Sequence, residues 1–254
     1  MSLEKTEALV IRQVDFSESS RVVTFFSREF GRFSALAKGA KRLKGPFDAA
    51  LDLLSECRVV FIKKSHGTLN LLTEARLSRR FQPQAMGSAG ALSSLYGGYY
   101  VAELLAGLTE DFDPAPELYQ LAVNTLQSLS DANADADSVV VHFEISLLQQ
   151  IGLFPNLFEC TVCGSTVSTD SKYAHWVSQG GILCAECRRE EYAGTSVSAG
   201  AIEVLRRLTE ADSPELVSRI AMSKQQGQEC HRVAVSAITH ALGRRPSTLR
   251  YIQI

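Results

Sequence analysis

Arg21-Val-Val-Thr-Phe-Phe-Ser-Arg28-Glu-Phe-Gly31-Arg32-Phe33-Ser-Ala-Leu-Ala-Lys38 decides the fold of the first third of the chain. Its two halves, Arg21–Phe26 and Phe33–Lys38, are rich in β-branched and aromatic residues and read as strands. Between them, Arg28-Glu29-Phe30-Gly31 supplies a glycine able to adopt positive φ, the requirement of a tight reversal. Working outward, Ala8–Val14, Ser55–Lys63 and Leu69–Leu77 have the same character, and His66-Gly67 offers a second reversal. Five short strands with one longer connection, Gly39–Ala50, predict a five-stranded OB-fold β-barrel over residues 1–80. The pattern alone is also compatible with an SH3-like barrel.

After Pro83 the period changes to that of a helix. Leu118, Leu121, Ala122, Thr125, Leu126 and Leu129 recur at three- and four-residue spacings, behind Pro114 and Pro116. A second helix is expected from about Val139 to Ile151, stopped by Gly152 and Pro155. Helical pattern resumes at Ala199–Thr209, with Ser198 as N-cap, and again from about Gly227 to Leu242. The expected class is therefore α+β multidomain. Residues 1–80 form the barrel, 81–153 the first part of a helical domain, 154–197 an inserted zinc finger and 198–254 the second helical part.

Cys160-Thr-Val-Cys163 and Cys184-Ala-Glu-Cys187 form two Cys-x2-Cys knuckles separated by twenty residues. That spacing suits a closed four-thiolate zinc site, with Cys160, Cys163, Cys184 and Cys187 as ligands and zinc in a structural role. Gly164 fits the first knuckle's turn, and Gly180-Gly181 reads as a hairpin bend returning the chain. His142-Phe-Glu144 ahead of a Cys-x2-Cys pair invites comparison with zinc deaminases, whose signature is His-x-Glu with Pro-Cys-x-x-Cys. Glu159 stands where that proline is required, and a fourth cysteine would fill the water's position, so catalysis is rejected. Cys57 and Cys230 read as small core residues. Trp176, with Tyr173 and His175, is expected to pack over the metal.

The formal net charge of −2 conceals an asymmetry. Positions 1–80 hold fifteen Lys/Arg against nine Asp/Glu, and the rest of the chain eleven against nineteen. A basic barrel on an acidic remainder suggests a polyanion-binding end and a protein-facing end. The cations concentrate in Lys38-Gly-Ala-Lys41-Arg42-Leu-Lys44-Gly45-Pro46, with Arg32 close by. Lys38, Lys41, Arg42, Lys44 and Arg32 are accordingly the nucleic-acid-binding candidates, contacting phosphates without reading sequence. Phe26, Phe30, Phe33 and Phe47 are interleaved with them and are candidates for stacking bases.

No phosphate-binding Gly-x4-Gly-Lys-Ser/Thr loop, Gly-x-Ser-x-Gly elbow or His-Glu-x-x-His motif is present, so no enzyme activity is expected. The first ten residues include Glu4, Lys5 and Glu7, unlike a signal peptide, and no apolar run reaches membrane-spanning length. A cytoplasmic chain with reduced thiols is expected.

Several stretches carry a family likeness. They are Glu7-Ala-Leu-Val-Ile-Arg12, Glu18-Ser-Ser-Arg21, Phe30-Gly31-Arg32, and Leu36-Ala-Lys38-Gly39-Ala-Lys41-Arg42 in the barrel. Tyr99-Tyr-Val-Ala-Glu103 and Phe143-Glu144-Ile-Ser-Leu-Leu148, with Gly152 and Cys160-x-x-Cys163-Gly164, follow, then Gly180-Gly181-Ile-Leu-Cys184 and Leu242-Gly243-Arg-Arg-Pro246. In this order they resemble the bacterial RecO recombination mediators over nearly the whole length.

The resemblance implies a nucleoid-associated DNA repair protein that works without ATP. It implies binding of single- and double-stranded DNA and annealing of complementary strands. With RecR as partner, such a protein helps RecA onto single strands coated by single-stranded-DNA-binding protein, whose acidic C-terminal tail it also binds. Arg206, Arg207, Arg244 and Arg245 are candidates for that tail, because the helical part is otherwise acidic. An adaptor whose barrel meets proteins instead of DNA is the alternative.

Overall fold

The computed structural model describes residues 2–42, 47–64, 69–84, 90–168, 172–177, 180–189, 196–211, 220, 222–252 and 254. They form two compact units, residues 1–132 and 133–254, so the segment 81–153 contributes to both.

The first unit is built on the strands β1 (Ser2–Asp15), β2 (Arg21–Ser27), β3 (Gly31–Ala37), β4 (Glu56–Lys63) and β5 (Asn70–Arg79). They pair in the order β1-β2-β3-β5-β4, and β4 returns to β1, which closes the barrel. β3 and β5 run parallel; the other four pairings are antiparallel. This order is that of an OB-fold and decides against the SH3-like alternative. β1 serves two neighbours, β4 through its first half and β2 through its second, and a bulge between Val10 and Arg12 lets it bend from one to the other.

The turn at Gly31 has a specific cause. Gly31 sits at φ +61°, and a Cβ there would lie 1.9 Å from the Asp113 carbonyl oxygen. The predicted turn at His66-Gly67 lies outside the described residues. Inside the barrel, strict alternation along β3 buries Phe33, Ala35 and Ala37. Phe33 stacks on Phe61 at 4.2 Å and on Phe25 at 5.3 Å.

Two helices complete this unit, α1 (Ala91–Leu108) and α2 (Pro116–Ser130). Pro116 stands in the first turn of α2, where a missing N–H is harmless. Of the predicted apolar face, all but Leu121 are buried. The loop between the helices returns to the barrel, with Phe112 N–H donating to the Arg32 carbonyl at 2.8 Å.

The second unit contains α3 (Ala136–Gln150), strands β6 (Asn156–Cys160), β7 (Lys172–Trp176), β8 (Gly181–Leu183) and β9 (Ser196–Ser198), then α4 (Ala199–Glu210) and α5 (Lys224–Leu242). Ser198 caps α4 as expected, its Oγ accepting from Ala201 N–H. α5 starts before Gly227 because Ser223 and Gln226 form a capping box. The strands form one sheet, β6-β8-β7-β9. Leu157, Tyr173 and Ile182 from this sheet share a core with Val141, Ile145, Ile202 and Val233 from the helices. The segment between α3 and α4 is thus anchored on the helices that flank it.

Candidate metal centre and nucleic-acid interface

The two cysteine knuckles close in the same way. Cys160 ends β6, and Gly164 N–H donates to its carbonyl at 2.9 Å; Arg188 N–H donates to the Cys184 carbonyl at 3.0 Å. Gly164 accommodates the first turn at φ +70°. The knuckles meet because Thr161 N–H donates to the Ile182 carbonyl at 3.0 Å, which ties the first turn to β8 just before Cys184. β7 and β8 form the hairpin expected around Gly180-Gly181, with Gly180 at φ +66°.

All four sulfurs come within 4.8 Å of one another. Sulfurs arranged tetrahedrally at about 2.3 Å from a zinc ion lie roughly 3.8 Å apart. Cys163 Sγ and Cys184 Sγ are 3.7 Å apart. The donor set and the spacing therefore fit a zinc ion.

The four thiols do not share one electrostatic environment. Burial alone would raise the Cys160 thiol, but N–H groups of Cys163, Cys184 and Val162 outweigh it and lower it to about 6. Cys187 is pushed up to about 12, first by its bond to Cys163 and then by burial. Four thiols this close need a cation to lose their protons together.

Trp176 packs, like Cys184 and Cys187, against the small core of Cys160, Ala174 and Leu183, on the metal side as expected. Tyr173 does not: strand alternation turns it to the helical core, where its hydroxyl accepts from Ser168 N–H at 2.7 Å. His175 shares the face of Tyr173 by the same alternation and is buried. Glu144 is fully buried and faces His231 Nδ1 at 2.9 Å. Cys57 and Cys230 lie in the two cores, where burial pushes each thiol up to about 12.

The basic candidates fall at two ends of β3. Lys38 is exposed just beyond its last residue, and Lys41 and Arg42 are exposed in the turn that follows. Lys41 is also the joint between two loops. Its N–H donates to the Ser19 carbonyl at 3.1 Å and its Nζ to Asp15 Oδ2 at 2.9 Å. Lys41, and after it Arg21, hold the Asp15 carboxyl below the usual carboxylate range.

Lys44 lies outside the described residues. Arg32 stands six residues of strand from Lys38, about 20 Å away. Its Nε donates to Asp111 Oδ1 at 2.7 Å and its Nη1 to the Ala106 carbonyl, so its guanidinium is engaged by the chain itself. The structure does not bring it to the Lys38 end. Of the tail candidates, Arg206 donates to the Leu157 carbonyl at 2.6 Å and Arg207 pairs with Glu203 at 3.0 Å, while Arg244 and Arg245 are exposed beyond α5.

The phenylalanines interleaved with the cations are core. Phe26, Phe33 and Phe47 are buried, and Phe30 packs edge-on against Phe61 at 5.5 Å. Their recurrence reflects the filling of a small barrel. The exposed aromatic at this end is Phe16, 63% accessible, in the loop between β1 and β2. The sequence held one cue to it, an aromatic residue set in the otherwise polar run Asp15–Ser20.

A closed OB barrel with a basic loop, followed in the chain by a helical unit carrying a four-thiol knuckle pair, defines a class of cysteine-knuckle OB proteins. Within it, the description Recombination protein O N terminal matches residues 1–81, and Recombination protein O C terminal matches residues 90–250. The chain belongs to this family of DNA repair proteins. It is 40% identical to the DNA repair protein RecO of Rhodopirellula baltica over 82% of this chain and 75% of that one. It is 30% identical to that of Anaeromyxobacter dehalogenans over 99% and 96%, and 28% identical to that of Desulfatibacillum aliphaticivorans over 98% and 95%. Among the described residues, no helix is long and apolar enough to cross a membrane.

Proposed function

We propose that this chain is a non-enzymatic recombination mediator. It binds single- and double-stranded DNA through backbone charge, anneals complementary strands and, with RecR, helps load RecA onto single strands covered by single-stranded-DNA-binding protein. It acts in the cytoplasm at the nucleoid. The observation that carries the reading is the cationic end of the barrel, where Lys38, Lys41 and Arg42 stand exposed in the turn after β3, which Lys41 ties to the loop between β1 and β2. Residues 1–80 are the DNA-binding part, with Lys44 completing the basic loop and Arg32 at the far end of β3. The stretch 154–197 is the finger, set between the two parts of the helical domain, 81–153 and 198–254. A zinc ion bound by Cys160, Cys163, Cys184 and Cys187 would supply four bonds that brace the finger, and the chain's own sheet does the rest.

An annealing assay with complementary oligonucleotides, ATP omitted, tests the proposal. Accelerated annealing that weakens steeply with salt is expected. No acceleration and no DNA retention at low salt would instead favour the protein adaptor.

A further inference from the structure

We infer that Phe16 is a base-stacking platform for single-stranded DNA, at the end of an apolar shelf on the outer face of β1, β2 and β3. The inference rests on the DNA-binding function proposed above and adds to it a distinction between single and double strands.

The register places the shelf. Val14 pairs with Val22, and Val22 with Leu36, so these three side chains form one row across three strands. The next row on the same face is Arg12, Thr24 and Ser34, with the two hydroxyls 2.9 Å apart. Val14 is 46% exposed and Val22 and Leu36 are half-buried, so the row is open to a ligand. Phe16 follows two residues beyond Val14. The charge around it is cationic on balance: Arg12 and Lys38 are exposed on this face and Arg42 in the adjoining turn, against Glu18 and an Asp15 already paired with Lys41 and Arg21. Apolar surface with a cationic excess at its rim is complementary to unpaired bases on a phosphate chain.

The loop that presents Phe16 is also held in place. Phe16 N–H donates to the Ser20 carbonyl at 3.0 Å, and Ser20 N–H donates to Ser17 Oγ at 3.2 Å. Lys41 fastens both ends of the loop through Asp15 and Ser19. A loop backbone held before binding gives up little further freedom when the ring meets a base, which is how preorganisation adds affinity. Bases in a duplex already stack on each other and offer no free face, so the ring contributes to single strands alone.

The full-length protein should be compared with Phe16→Ala and Phe16→Trp on a thymidine oligonucleotide and on a duplex of equal length, at fixed salt. Because the side chain is exposed, neither substitution disturbs the core. Phe16→Ala should lose roughly tenfold in single-strand affinity, the typical effect of removing one stacking partner, and change duplex affinity less than twofold. Phe16→Trp should restore single-strand binding, and its added fluorescence should be quenched by the oligonucleotide but not by the duplex. Equal loss on both substrates, no loss on either, or no quenching would overturn the platform while leaving charge-driven DNA binding intact. No DNA binding by the unsubstituted chain would overturn both.

Discussion

Lys41 Nζ lies 2.9 Å from Asp15 Oδ2, and through this pair the turn after β3 holds the loop between β1 and β2. One lysine thus has two duties, as a cation at the barrel's open end and as the clamp of a neighbouring loop. Arg42, next in the chain, is exposed, and its N–H donates within its own turn, to the Gly39 carbonyl at 3.1 Å.

The two residues should therefore separate experimentally. Lys41→Glu and Arg42→Glu should each weaken binding to all DNA sequences alike and reduce the single-strand salt slope by about 0.7. Only Lys41→Glu should also speed hydrogen exchange at the amides of residues 16–20, because it sets a second negative charge against Asp15. Unchanged affinity in both variants would remove the basic loop from the interface.

At the other end of β3, Gly31 is expected to tolerate no side chain. An alanine would have to hold φ near +61° and place its Cβ against the backbone of Asp113, which is fastened there through Phe112 and Arg32. The left-handed conformation alone costs about 1–2 kcal/mol, and a backbone clash adds to it. Gly31→Ala should destabilise the first unit by more than about 2 kcal/mol in urea unfolding. A loss below 0.5 kcal/mol would mean that the loop after α1 is free to move away.

How much of this could be read beforehand depended on whether the signal was local. All five barrel strands were legible, since alternation and Gly31 are properties of neighbouring residues. The four cysteines were legible for the same reason, through their spacing. α1 was not legible from pattern: Gly97-Gly98 interrupts it, and residues on several sides, such as Ala91, Ser94, Gly98, Tyr100 and Leu105, are all buried, so no polar face marks its period. Arg32 and the phenylalanines show the other limit. A residue type announces what it could do, whereas Asp111, seventy-nine positions away, decides what Arg32 does. Phe33 and Phe16 look alike in a string of letters, and only the closure of the barrel puts one inside and the other in water.

His175 supplies a pH test of the second unit. Burial pushes its imidazole down to about 4, from about 6.5 in an unfolded chain. Between those values the unfolded chain takes up the proton first, so this contribution to stability is complete above about pH 6.5 and is lost as pH falls towards 4. The loss should reach roughly 3 kcal/mol. The ring-proton resonances of His175 should stay at their neutral positions down to about pH 5. A midpoint near 6.5 would place the ring in solvent instead.

Metal removal should act on one part of the chain before the rest. Apart from the metal, the knuckles are held by a few backbone bonds, such as Thr161 N–H to the Ile182 carbonyl, while the opposite side of the sheet is packed into the helical core through Leu157, Tyr173 and Ile182. The stabilisation on binding zinc, about 10–16 kcal/mol in isolated finger peptides, is felt here by a segment already anchored, so the metal-free chain keeps its helices. The zinc-loaded protein should contain one ion per chain with four sulfur neighbours by X-ray absorption. Cys163→Ser or Cys184→Ser should lower the metal content, whereas Cys57→Ser and Cys230→Ser should leave it unchanged. After chelation, hydrogen exchange should rise first across residues 155–190, with α3 and α5 still protected. Binding of the treated full-length protein to DNA should persist, because the cations proposed to carry it stand on the barrel. If DNA affinity fell in step with zinc content, the finger would have to be counted among the DNA contacts and the purely architectural role abandoned.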